Sequence, residues 1–145
     1  MLRFFHRQAI IAGVIAGIIL GLLFKVMEEV WSIKVYTLLL NIDYFPIIKD
    51  IPFPEVIEFS FHMIVSVLLS CMIRAVLFRK EMSYKAYINF IVFLCFLIGL
   101  ILFPTTALST RTPPITQVEA WICWLLGHVL YGYVLSRLLL RKKID

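Results

Sequence analysis

Four blocks of apolar residues, at about 8–27, 56–77, 85–103 and 118–140, constrain this chain more than any other feature. At ~1.5 Å rise per residue each can cross the ~30 Å hydrocarbon core of a bilayer as a helix. A chain of 145 residues that is 62% hydrophobic and only 16% charged could not hide this surface in one soluble core, whereas lipid removes the need to hide it. The expected fold is an all-α integral membrane protein, one domain over residues 1–145, with four transmembrane helices arranged as two hairpins.

The charges give this bundle a direction. Of the fourteen Lys and Arg residues, all except Lys25, Lys34, Lys49 and Arg111 fall on one side of the blocks, and of the nine acids all except Glu81 and Asp145 fall on the other. Short loops rich in Lys and Arg stay in the cytoplasm, so both termini and the turn at 78–85 are expected inside. The net charge of +5 is then a topology signal, and nucleic acid is not an expected partner. Arg3 and Arg7 ahead of an apolar run resemble a signal peptide, but the run is too long and no small-x-small cleavage pattern comes after Phe24, so a retained helix is expected. Cys71, Cys95 and Cys123 lie inside the blocks without ligand spacing and read as packing residues.

Residues 30–54 form a long connection whose first half is apolar and aromatic. That half either continues the first helix or lies as a short helix along the outer interface. Pro46, Pro52 and Pro54 interrupt the second half, with Pro54 placed to open the second span in its first turn. Before the fourth span, Thr116-Gln117-Val118-Glu119 matches a capping box, and Trp121 and Trp124 sit at headgroup level.

Two patterns stand out within the spans. Gly13, Gly17 and Gly21, extended backwards by Ala9, leave one face of the first helix nearly free of side chains, which favours close helix packing within the chain, in a homo-oligomer or against a larger membrane partner. Glu28 returns to that face and would place a charge at its end. In the second span, Glu55, Glu58, His62, Ser66 and Ser70 form a polar stripe that should avoid lipid. Glu58 and His62, one turn apart, could exchange a proton or ligate a metal. Alternatively, Glu58 is wet, His62 bonds a neighbouring helix and the serines return their hydroxyls to their own backbone.

His128 lies deep in the fourth span and is expected to take a partner from another helix. These residues suggest an outward-facing polar site formed by Glu28, Glu58, His62, Ser66 and His128, taking a small solute, proton or metal ion. Two histidines on separate helices are weak metal signals, and no HExxH spacing is present. Neither a nucleophile–base arrangement nor a phosphate-cradling loop occurs, so no enzyme activity and no cofactor are expected. The competing expectation is a non-catalytic assembly subunit that packs through the glycine face.

The segment Ala12-Gly13-Val14-Ile15-Ala16-Gly17 with Lys25 and Glu28-Glu29, the Phe61-His62 pair with Ser66, Phe103-Pro104, and residues 126–134 (Leu-Gly-His-Val-Leu-Tyr-Gly-Tyr-Val) together resemble the YagU-like and YqhR-like small membrane proteins of bacteria. The resemblance implies a bacterial cytoplasmic membrane, a compact four-helix unit, and His62 and His128 as the family's two helix histidines. It carries no settled activity. Residues 30–36 replace the proline-arginine cluster of the YagU-like pattern, so no outer-face function is carried over.

Overall fold

The computed structural model describes residues 2–42, 51, 53–77 and 80–140, with side chains from Arg7 onward. Its helices are α1 (Leu2–Trp31), α2 (Val35–Leu40), α3 (Glu55–Leu77), α4 (Tyr84–Leu102) and α5 (Val118–Leu140), with a 3-10 helix at Phe103–Leu108. The fold is all-α, and four segments are long and apolar enough to cross a membrane: Arg7–Trp31, Glu55–Leu77, Tyr84–Leu108 and Val118–Leu140. Pro46, Pro52, Lys49, Asp43, Asp50, Arg79 and the basic residues 141–143 lie outside the described residues, as does the side chain of Arg3.

Helix boundaries reflect local chemistry. The first span runs one turn past its expected end and stops at Ser32, whose φ of 56° lies in the left-handed region that ends helices. Pro54 sits one position earlier than expected: its carbonyl accepts from Ile57 and Glu58 backbone N–H groups at 2.8 and 3.2 Å, the N-cap role. α4 ends at Leu102 with Phe103 as its C-cap, in line with the expected end near 103. Pro104 has no N–H to give to the preceding turn, and the chain tightens there into the 3-10 helix. The capping box at Thr116 and Glu119 is not formed, because Gln117 takes the N-cap position, its carbonyl accepting from Trp121 N–H at 3.3 Å; Glu119 is exposed.

α1 is the central helix. It packs on both α3 and α5, and α4 packs on α5, so the packing neighbours run in the order α3, α1, α5, α4. Glycines set these approaches. A Cβ at Gly13 would lie 2.8 Å from Val67 Cα, and one at Gly132 would lie 2.9 Å from Val92 Cα, so in both places side-chain-free backbone meets backbone. Gly127 leaves the notch that receives the Phe24 ring, which is fully buried and stacked on Trp124 at 5.3 Å. The outward faces carry Leu22, Val26, Leu68, Met72, Phe93, Ile101 and Leu126, all well exposed, an apolar belt suited to acyl chains.

Away from α2, helix ends are tied across the bundle. Gln8 Nε2 donates to the carbonyls of Leu138 and Leu139, Arg74 also donates to Leu139 O, and the Tyr87 hydroxyl donates to Leu77 O. These donors satisfy carbonyls that the last turn of a helix cannot pair.

Candidate functional site

The polar stripe of α3 faces α1, as its cost in lipid requires. His62 Nε2 donates to Gly17 O at 3.2 Å, Ser66 Oγ to Gly13 O at 2.7 Å, and Ser70 Oγ to Ala9 O at 2.7 Å. Each donor steps forward four residues on α3 while its acceptor steps back four on α1, the register of two antiparallel helices. The absence of side chains on the glycine face lets α3 come close enough to reach these carbonyls. The serines therefore bond α1 rather than their own backbone. The face holding Gly13, Gly17 and Gly21 is occupied within the chain: their missing Cβ positions are filled by Val67, Ser66, Met63 and Phe59.

The carboxylates have been drawn elsewhere. Glu28 accepts from Thr37 N–H at 2.8 Å and from Thr37 Oγ1 at 2.6 Å. This caps α2, whose own N-cap residue, Lys34, makes no side-chain bond. Glu58 is buried and takes two bonds from the Arg111 guanidinium, at 3.0 and 3.3 Å, tying the loop before α5 to α3. Glu55, which is exposed, accepts from Lys25 Nζ and from the Tyr36 hydroxyl, each at 2.7 Å. Burial, and then the bond to Glu55, push the Tyr36 phenol well above its usual range. Of the two readings of Glu58 and His62, the pair is not formed and His62 bonds a neighbouring helix; neither Glu28 nor Glu58 joins the histidines.

His62, Ser66 and His128 do come together. They line a cavity of about 590 Å³ between α3 and α4, which do not pack closely on each other. Its floor is α1 and α5, through Leu20, Trp124, His128 and Tyr131, and its end is closed by residues 38–42. The run after the first span forms the short helix α2, which folds back on α1, α3 and α5 and buries Val35, Leu38 and Leu40. At the side, Phe61, Ile64, Val65 and Leu102 line the cavity and are 40 to 60% exposed, so it opens laterally where acyl chains would lie.

The floor is polar in only a few places. His128 is 6% exposed, and its Nδ1 donates to Trp124 O of its own helix at 2.9 Å, not to another span as expected. Room for the imidazole comes from Gly99 on α4, where a Cβ would lie 2.8 Å from His128 Cγ; Gly99 O also accepts from the Trp124 indole at 2.9 Å. Ser66, already donating to Gly13, accepts from the Tyr131 hydroxyl at 2.8 Å. Tyr131 is a site residue that helical spacing on α3 alone could not reveal. Among the described residues, no Lys, Arg, Asp or Glu lines the cavity, and no three His, Cys, Asp or Glu side chains cluster as metal ligands. Comparison with known protein families, curated proteins and solved structures finds no match to this chain.

Proposed function

We propose that this protein binds an uncharged, largely apolar small molecule within the bilayer, in the cavity between α3 and α4, and that it does so in a bacterial cytoplasmic membrane with both termini inside. The orientation rests on the distribution of Lys and Arg. The membrane assignment rests on the resemblance of the glycine-patterned first helix and the His128 segment to the YagU-like and YqhR-like proteins.

The observation that carries the ligand reading is an uncharged lining around a volume of about 590 Å³, which falls in the range of small-molecule sites. A conduction path for ions would need charged or carbonyl groups along it, whereas Glu28 and Glu58 are engaged away from the cavity. An assembly role for the glycine face would require a partner to displace α3 from it. The protein is therefore read as a binder or carrier of a membrane-dissolved molecule rather than as a proton or metal pathway.

Purification in a mild detergent, then extraction and mass spectrometry of the molecules that accompany the protein, tests this. One uncharged apolar species in near-stoichiometric amount is expected from the unaltered chain, and its loss from a folded Leu69→Trp variant that fills the cavity. Bulk phospholipid alone, in equal amount from both, would overturn the reading.

A further inference from the structure

The two histidines present the cavity with the same half of a hydrogen bond. A carbonyl oxygen can only accept, so the bond from His62 to Gly17 O places the ring proton on Nε2, and the bond from His128 to Trp124 O places it on Nδ1. In these neutral tautomers the remaining nitrogens, His62 Nδ1 and His128 Nε2, are acceptors. Neither is given a partner among the described residues, neither is among the buried polar atoms sealed without one, and both residues line the cavity. For His128, a side chain more than nine-tenths buried, that space is the cavity.

Four of the donors beside the histidines are given to other acceptors. The Ser66 hydroxyl is given to Gly13 O, the Tyr131 hydroxyl to Ser66, the Trp124 indole to Gly99 O, and the Thr105 hydroxyl to Leu102 O. A buried acceptor left unmet in apolar surroundings is costly, so the complement must bring its own donor. The lateral mouth and uncharged walls require the rest of that molecule to be apolar. At the ~30 Å³ that a water molecule occupies in the liquid, the volume corresponds to roughly twenty non-hydrogen atoms.

We infer that the ligand is a hydroxyl-headed lipid, an alcohol or phenol on a hydrocarbon or isoprenoid chain, whose O–H donates to His128 Nε2 and whose chain leaves between α3 and α4 into the bilayer. His62 Nδ1 serves a second donor where the head carries one. This inference rests on the cavity reading above and adds the chemistry of the head. It also gives Gly99 a purpose beyond packing, since any larger residue would displace the His128 ring from the position that presents Nε2.

The test compares two probes of matched chain, farnesol and farnesyl methyl ether, which differ in the hydroxyl donor. Binding is tracked through the fluorescence of Trp124 in the whole 145-residue chain in nanodiscs, with Trp31 and Trp121 replaced by Phe. One donated hydrogen bond in an apolar site should make farnesol bind about five- to tenfold tighter than the ether. In His128→Phe, which keeps a ring of similar size, the two should become equal. Equal binding of both probes to the unaltered site would overturn the hydroxyl inference while leaving the cavity reading standing. Binding of neither would overturn both. A persistent preference for farnesol in a folded His128→Phe protein would remove His128 as the acceptor.

Discussion

His62, Ser66 and Ser70 matter because each can reach a backbone carbonyl that a neighbouring side chain would normally cover. In a membrane such interhelical bonds average about 0.6 kcal/mol and reach about 1.7. Ser70→Ala is expected to lower stability by about that average, measured by reversible unfolding in mixed micelles. Ser66→Ala should cost more, about 1–2 kcal/mol, because it also takes the nearer acceptor from the Tyr131 hydroxyl and leaves it only the longer bond to Ser66 O at 3.4 Å. The double variant Ser66→Ala with Tyr131→Phe should cost less than the sum of the single changes by about 0.5 kcal/mol or more, a non-additivity that independent sites would not show. The four-residue spacing on α1 and on α3 was legible separately in the sequence. Their register was not, because which carbonyl lies opposite which hydroxyl depends on the pairing of helices. The partner of His128 differs for another reason: its ring turns to the Trp124 carbonyl one turn back on its own helix.

At the scale of elements, α2 decides the shape of the site. It exists because α1 stops at Ser32 in a left-handed conformation and because Glu28 supplies the cap that Lys34 does not. Glycine takes positive φ without the steric cost of a side chain. Ser32→Gly should therefore hold or raise thermal stability by up to about 1 kcal/mol, while Ser32→Val, branched at Cβ, should lower it by about 1–3 kcal/mol. The opposite order in thermal unfolding would mean that the turn is not held as described. The Tyr36 hydroxyl adds a pH-dependent tie to Glu55. Its phenol is raised above the usual value, so the stability it contributes is fully present below about pH 10 and is lost only as pH rises through its elevated folded pKa. A difference titration of phenolate absorbance between the unaltered protein and Tyr36→Phe should show this tyrosine ionising later than a free phenol; ionisation near pH 10 would contradict it. The apolar run after Lys34 was visible in the sequence. Its fold back onto the bundle was not, since a short amphipathic stretch suits a headgroup interface and a groove equally.

For the whole molecule, the four spans and their approximate ends could be read from hydropathy, because hydrocarbon thickness fixes their length. The neighbour order α3, α1, α5, α4 could not, since it depends on which glycine meets which side chain. That order leaves α3 and α4 flanking a gap, and the gap gives His62 and His128 a common cavity although the glutamates of the same polar stripe lie outside it. On the function proposed above, this cavity admits apolar molecules from the bilayer. The most direct test is quenching of Trp124, the one tryptophan left after Trp31→Phe and Trp121→Phe, by a brominated alkane titrated into proteoliposomes. Saturable quenching that disappears on filling the cavity with Leu69→Phe is the result expected. Quenching that rises without saturation, and equally in the filled variant, would mean that the alkane reaches the indole only by collision and that no site lies between α3 and α4.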